Sequence, residues 1–221
     1  MVLNYAKLIK QQRIRNAAFV DISEEKTKEK IKKFAKDFNL DFNDTYKDVE
    51  TSKYFKYLFA TNPVKQNLFE SIALDYLQNM NLISDATKLP PAGTGAFYVI
   101  EKQLIPGNPS GKSSKKQNQS QSIDFQLTIE PYKKRTNQLI VYAYHKYIKE
   151  AGGGQNHQLA DIEKFLSNAP NDREECFIVF ADGHFLRKHR PRLKAKYDIL
   201  SHIRTYSMNE FEAAVLTGEI I

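Results

Sequence analysis

Near Phe97 the hydrophobic period of this chain changes. Upstream, apolar residues recur with the 3.6-residue spacing of helices; downstream they alternate as in strands. Leu3, Ala6, Leu8 and Ile9 predict a first helix, and Ile31, Phe34, Ala35 and Phe38 a stripe along a charged second one, "EEKTKEKIKKFAKDF", with Ser23 as its expected N-cap. Tyr54, Tyr57, Leu58 and Phe59 predict a third. Asn62-Pro63 then supplies a cap and a first-turn proline for "VKQNLFESIALDYLQNM". Beyond the change, "AFYVIEKQLI", "SIDFQLTIE", "QLIVYAYHKYI" and "CFIVFADGHFL" read as strands, with the helix "NHQLADIEKFLSNA" between the last two. Ser207 is placed to cap a short closing helix, "SMNEFEAAVL". Helices followed by a sheet with an inserted helix predict an α/β or α+β fold. The expected division is a helical region over 1–61 and a core over 62–221, with a polar mobile loop over 106–122, all treated as one compact domain.

Charge and cysteine content narrow the function. Among 221 residues, 33 Lys and Arg stand against 26 Asp and Glu, and the net charge of +7 suits a polyanionic partner such as nucleic acid. The only cysteine, Cys176, lies in an apolar run, which excludes an intrachain disulfide framework and a cysteine-based zinc site. His184, His189 and His202 lack metal-ligand spacing. No apolar stretch has the length of a membrane span and the start lacks a signal-like apolar run, so the expected location is cytoplasmic, with no membrane partner. "GNPSGKS" has three residues between its glycines where a phosphate-binding loop needs four, and no apolar helix follows it. Lys112, Lys115 and Lys116 in that loop remain candidate contacts to a nucleic-acid backbone.

The chemistry concentrates around "YHKYIKEAGGGQNHQLAD". Strand alternation in "SIDFQLTIE" sets Asp124, Gln126, Thr128 and Glu130 apart from the apolar face. In the next strand Tyr144 and Lys146 share one face and His145 takes the other, among apolar neighbours, as a core histidine would. If the two strands are neighbours, Asp124 and Lys146 meet at one edge. Gly152, Gly153 and Gly154 allow a close backbone approach, and Gln158 and Asp161 project together from the following helix. Carboxylates that hold Mg2+, with a lysine to orient water or offset charge on phosphate, are what metal-assisted phosphodiester hydrolysis requires. Gln155, Gln158 and His157 are candidate DNA contacts at the helix start, and "RKHRPRLKAKY" adds Arg187, Arg190 and Arg192 as candidate phosphate contacts.

A helix with Glu70, then "SIDF", a strand ending in "HK", "GGGQNHQLAD" and "FIVFADGHFL" together resemble the nuclease core of type II restriction endonucleases of the PD-(D/E)XK superfamily, over roughly Asn62 to Phe185. The resemblance implies a mixed central sheet flanked by helices and Mg2+-dependent, sequence-specific cleavage of double-stranded DNA. It also implies a homodimer, and a cognate DNA methyltransferase in a prokaryotic cell. Asp124 would be the first acid and Lys146 the lysine, with Ile123 where the family has proline. Tyr144 stands where the family has its second acid; Asp161 is the expected migrated carboxylate and Glu130 its rival, while Glu70 reaches the metal through water. Two other readings stand beside this one: a DNA-binding protein with a decayed nuclease fold, and a structure-specific repair nuclease.

Overall fold

The computed structural model describes residues 3–18, 21–59, 66–107, 121–133, 136–149, 155–171 and 174–220. These form two compact units, Asn4–Leu68 and Phe69–Ile221 with the first residues. The lysines of the 106–122 loop that were considered as contacts, Lys112, Lys115 and Lys116, and the three glycines 152–154, fall outside the described residues, as does the Asn62-Pro63 cap. No described helix is long and apolar enough to cross a membrane.

The first unit contains α1 (Tyr5–Ala18), α2 (Glu25–Asp37), α3 (Phe42–Thr51) and α4 (Lys53–Phe59). Its core is small: Ile31, Val49 and Phe59 are buried, with Phe34 edge-on to Phe59. The charged face of α2 is solvated, as its spacing predicts. Ser23 does not cap α2; its hydroxyl donates to Asp21, and Glu24 takes the cap position without a side-chain bond. Asp41 caps α3 by accepting from the Asn43 and Asp44 amides.

Helix α5 (Gln66–Gln78) spans the boundary between units, and the rest of the chain builds on two sheets. The strands are β1 (Ile83–Lys88), β2 (Phe97–Ile100), β3 (Gln103–Pro106), β4 (Gln121–Ser122), β5 (Phe125–Ile129), β6 (Leu139–Tyr147), β7 (Glu175–Asp182) and β8 (Ile203–Tyr206). The larger sheet has the order β1-β5-β6-β7-β8, antiparallel from β1 to β6 and parallel from β6 to β8; β3-β2-β4 form a separate antiparallel sheet. Helix α6 (Gln155–Asn168) is the crossover from β6 to parallel β7, α7 (His184–Tyr197) that from β7 to β8, and α8 (Met208–Thr217) closes the chain.

Both faces of the larger sheet are covered. Phe125, Leu127, Val141, Ala143, Ile178 and Phe180 pack toward Ala73 and Leu77 of α5 and Phe211 and Val215 of α8. Tyr142, Tyr144, Phe177 and Val179 pack toward Ile162 and Phe165 of α6 and Leu186 and Leu193 of α7. Burial on both sides is why β6 and β7 read as nearly continuous apolar runs. Cys176 is one of these buried residues. The fold is mixed α/β, a mixed sheet flanked by helices.

Several predicted elements divide differently. "AFYVIEKQLI" is a hairpin and not one strand, because Glu101 and Lys102 both take positive φ, 48° and 64°, and reverse the chain in two residues. In "SIDFQLTIE", Gln121–Ser122 joins the small sheet and Phe125–Ile129 the large one, so Ile123 and Asp124 form the step between them. "CFIVFADGHFL" stops being a strand at Asp182. Gly183, at φ 93°, turns the chain there, and a Cβ at that position would collide with the Ile148 carbonyl. "RKHRPRLKAKY" is part of helix α7. Ser207 caps α8, as predicted, and Glu210 completes a reciprocal capping box with it.

Candidate functional site

Strand order builds the site. Strand β5 lies between β1 and β6, so Asp124, just before β5, has a neighbouring strand on each side. On one side its amide donates to the Ala143 carbonyl and its carboxylate Oδ2 accepts from the His145 amide at 2.8 Å. On the other side the Leu89 amide donates to the Asp124 carbonyl at 2.9 Å, which fixes the end of β1 and Lys88 beside it. Each neighbouring strand thus carries a lysine at or near its end: Lys146, the last residue but one of β6, and Lys88, the last of β1.

Asp124 is half-buried, and its environment opposes ionisation. Burial pushes its pKa up to about 7, against the downward pull of Lys146 and of the His145 amide; Glu70 pushes it higher and Lys88 lowers it. Glu70 is buried on α5 and paired with Lys88, whose Nζ lies 2.8 Å from Oε2. Two carboxylates and two ammonium groups therefore act on one another here. A cation between Asp124 and Glu70 would relieve the cost of the charged Asp124.

Tyr144 occupies the centre of the same corner. Its ring stacks on Phe165 with centroids 5.2 Å apart, and the Lys146 ammonium lies 4.6 Å from the ring centroid. Burial, then Asp124, Asp161 and Glu70, all raise the phenol's pKa, so it stays a neutral hydroxyl. That hydroxyl donates to Gln121 Oε1 at 3.3 Å, and Gln121 Nε2 donates to Asp161 Oδ1 at 3.0 Å. Asp161 reaches the corner through this amide relay. The carboxylate that acts most strongly on Asp124 is Glu70. Among the described residues no three His, Cys, Asp or Glu side chains form a group able to hold a metal ion. Two carboxylates still fit Mg2+, which commonly takes one or two from protein and completes its shell with water and substrate phosphate.

The remaining candidates are dispersed. Glu130 lies at the far end of β5 from Asp124 and accepts from Gln138. His145 is fully buried, and burial followed by Lys146 and Lys88 holds its pKa down at about 3. It is neutral at pH 7, so its 3.9 Å approach to Asp182 is not an ion pair there. His157 is exposed and Gln158 partly so at the start of α6, to which Gln155 also belongs. Arg187 is exposed. Arg190 is occupied: Nη1 donates to the Ala181 carbonyl at 3.0 Å and Nε lies 3.4 Å from Glu210, binding α7 to β7 and α8. Arg192 pairs with Glu163 of α6. His202 is buried against the Pro170 carbonyl.

Lys88 and Gln121 were not foreseen. Lys88 follows "ISDAT", which exposes all but Ala86 and Ile83 to a large degree and so carries little strand signal, and Gln121 sits in a polar run. Comparison of the chain with protein-family models, curated proteins and solved structures returned no match.

Proposed function

We propose that this chain is a Mg2+-dependent endonuclease of the restriction type, cutting double-stranded DNA at a short sequence as a homodimer. The observation that carries the reading is the convergence of Asp124, Glu70, Lys146 and Lys88 at one end of the sheet. Asp124 and Glu70 would hold the metal. Bound Mg2+ supplies Lewis-acid polarisation of the phosphate and a lower pKa for the attacking water. Asp124 is fixed for this by the His145 amide. Lys146, resting on the Tyr144 ring, orients the water and offsets the negative charge that grows on the phosphate. The Gln121 amide holds Asp161 and Tyr144 in register beside them.

Charge distribution supports a nucleic-acid substrate. Residues Asn4–Leu68 carry fourteen Lys and Arg against nine Asp and Glu, five of the seven net positive charges. Helix α1 has Lys7, Lys10, Arg13 and Arg15 and no acid, and α4 has Lys53 and Lys56 and no acid, with Tyr54 and Tyr57 exposed. Cations beside exposed aromatic rings suit a phosphate backbone.

Tyr144 favours a second reading, a DNA-binding protein whose nuclease chemistry is lost, because a neutral phenol replaces a carboxylate. Incubating plasmid DNA with the protein, with and without Mg2+, separates the two. Discrete fragments support the endonuclease, retention of intact plasmid in a shifted complex supports the binder, and preference for nicked or branched DNA supports a structure-specific nuclease.

A further inference from the structure

Lys88 was invisible as a site residue in the sequence, yet its position is set as firmly as that of Asp124. It ends β1 in register with Phe125, and the next residue, Leu89, bonds the Asp124 carbonyl. Its ammonium is 2.8 Å from a Glu70 carboxylate whose side chain is only 10% exposed, while the lysine side chain is 33% exposed. A buried carboxylate needs a partner to remain charged. A partly solvated lysine on a flexible four-carbon stem can leave that partner without abandoning its backbone position. The ion pair joins a fixed acid to a movable cation.

We infer that Lys88 is a second lysine of the site, acting as a resident counter-cation: it neutralises Glu70 while no metal is bound, yields Glu70 to a divalent cation, and then turns to the phosphate backbone of bound DNA. The inference rests on the endonuclease reading. It assigns the two lysines different tasks. Lys146 is held over the Tyr144 ring beside Asp124, whereas Lys88 exchanges partners as the site loads. A purely structural ion pair tying β1 to α5 would instead stay closed when metal arrives.

Calorimetric titration of the full chain with Ca2+, without DNA, reads the first half of this cycle. Lys88→Met removes the competing charge but keeps the stem, and about tenfold tighter Ca2+ binding is expected, within the usual range for coupling between sites. Unchanged or weaker binding by a variant with the wild-type near-ultraviolet circular dichroism spectrum would overturn the inference. The wild type provides the second measurement, which needs no variant to fold. Acetylation of Lys88, followed by mass spectrometry, should accelerate severalfold on saturation with Ca2+ and slow again when duplex DNA is added. A rate insensitive to Ca2+ contradicts the exchange. Failure of the wild type to bind Ca2+ or to cut DNA with Mg2+ removes the endonuclease reading and this one with it. A wild type that binds and cuts, with an unresponsive Lys88, removes this one alone.

Discussion

Asp124 and His145, bonded to each other across the β5–β6 ladder, titrate in opposite senses. Asp124 has a folded pKa near 7, above its ordinary value, so the folded state binds a proton more readily than the unfolded chain. Its contribution to stability grows as pH falls from about 7 to 4. His145 has a folded pKa near 3, below its ordinary value, so its contribution is present above about pH 6.5 and is lost as pH falls toward 3. The two effects offset between roughly pH 4 and 6.5, where each separately changes stability by about 1.4 kcal/mol per pH unit at most. Asp124→Asn removes one of them, so denaturant unfolding of that variant should show stability falling more steeply on acidification than the wild type. Parallel pH profiles would mean that Asp124 is not held in its neutral form. For catalysis, Lys146→Ala should reduce cleavage by at least about a hundredfold, the loss typical of an electrostatic stabiliser, with duplex binding in a gel-shift assay changed little. Unchanged cleavage would exclude Lys146 from the chemistry. Lys146 was legible because strand alternation in β6 sets it apart from buried His145, and Asp124 because it is an acid within an apolar run, although it lies in the step just before β5. The pairing of Glu70 with Lys88 was not legible, since it depends on where α5 lies against the sheet.

At the scale of elements, α7 was the main surprise. Its basic residues predicted phosphate contacts, but Arg190 is enclosed, bonded to the Ala181 carbonyl and Glu210, whereas Arg187 and Arg192 face solvent, Arg192 beside Glu163. Charge counts cannot distinguish an arginine facing solvent from one facing its own fold. Arg190→Ala should therefore destabilise the protein by about 2 kcal/mol, as loss of a charged hydrogen bond does, and leave DNA affinity nearly unchanged. Thermal unfolding and a binding titration check the two halves. Gly183→Ala should cost more, about 3 kcal/mol, because a methyl meets the Ile148 carbonyl and the backbone is held at φ 93°. Edge strands account for most of what the sequence concealed. Strand β1 buries only Ala86 fully, and β8 has four residues, so neither produces a sustained alternation. The central strands β6 and β7, buried on both faces, were readable from their nearly continuous apolar runs, although not to their exact ends.

Over the whole molecule, the fold class was legible from the change of hydrophobic period, because a helix stripe and a strand alternation cannot exchange without exposing their apolar faces. A helical first part and a sheet-containing second part were also legible, but the boundary between the two units falls within α5 and not before it, because α5 runs through it without a break in its helical spacing. The larger unit brings the acids and lysines together; the smaller carries most of the excess positive charge. Replacing Lys7, Lys10, Lys53 and Lys56 with alanine should lower duplex affinity and flatten its dependence on salt, by about 0.9 in logarithmic slope for each phosphate no longer neutralised. An unchanged slope would place DNA elsewhere. A corner formed by Asp124, Glu70, Lys146 and Lys88 that cuts phosphodiester bonds, as proposed above, must act on plasmid DNA. The most direct measurement is incubation of supercoiled plasmid with purified protein, with Mg2+ and with chelator. Discrete linear fragments in Mg2+ alone, absent with Asp124→Asn, are expected; plasmid left intact at saturating protein and Mg2+, or cut equally by Asp124→Asn, would contradict it.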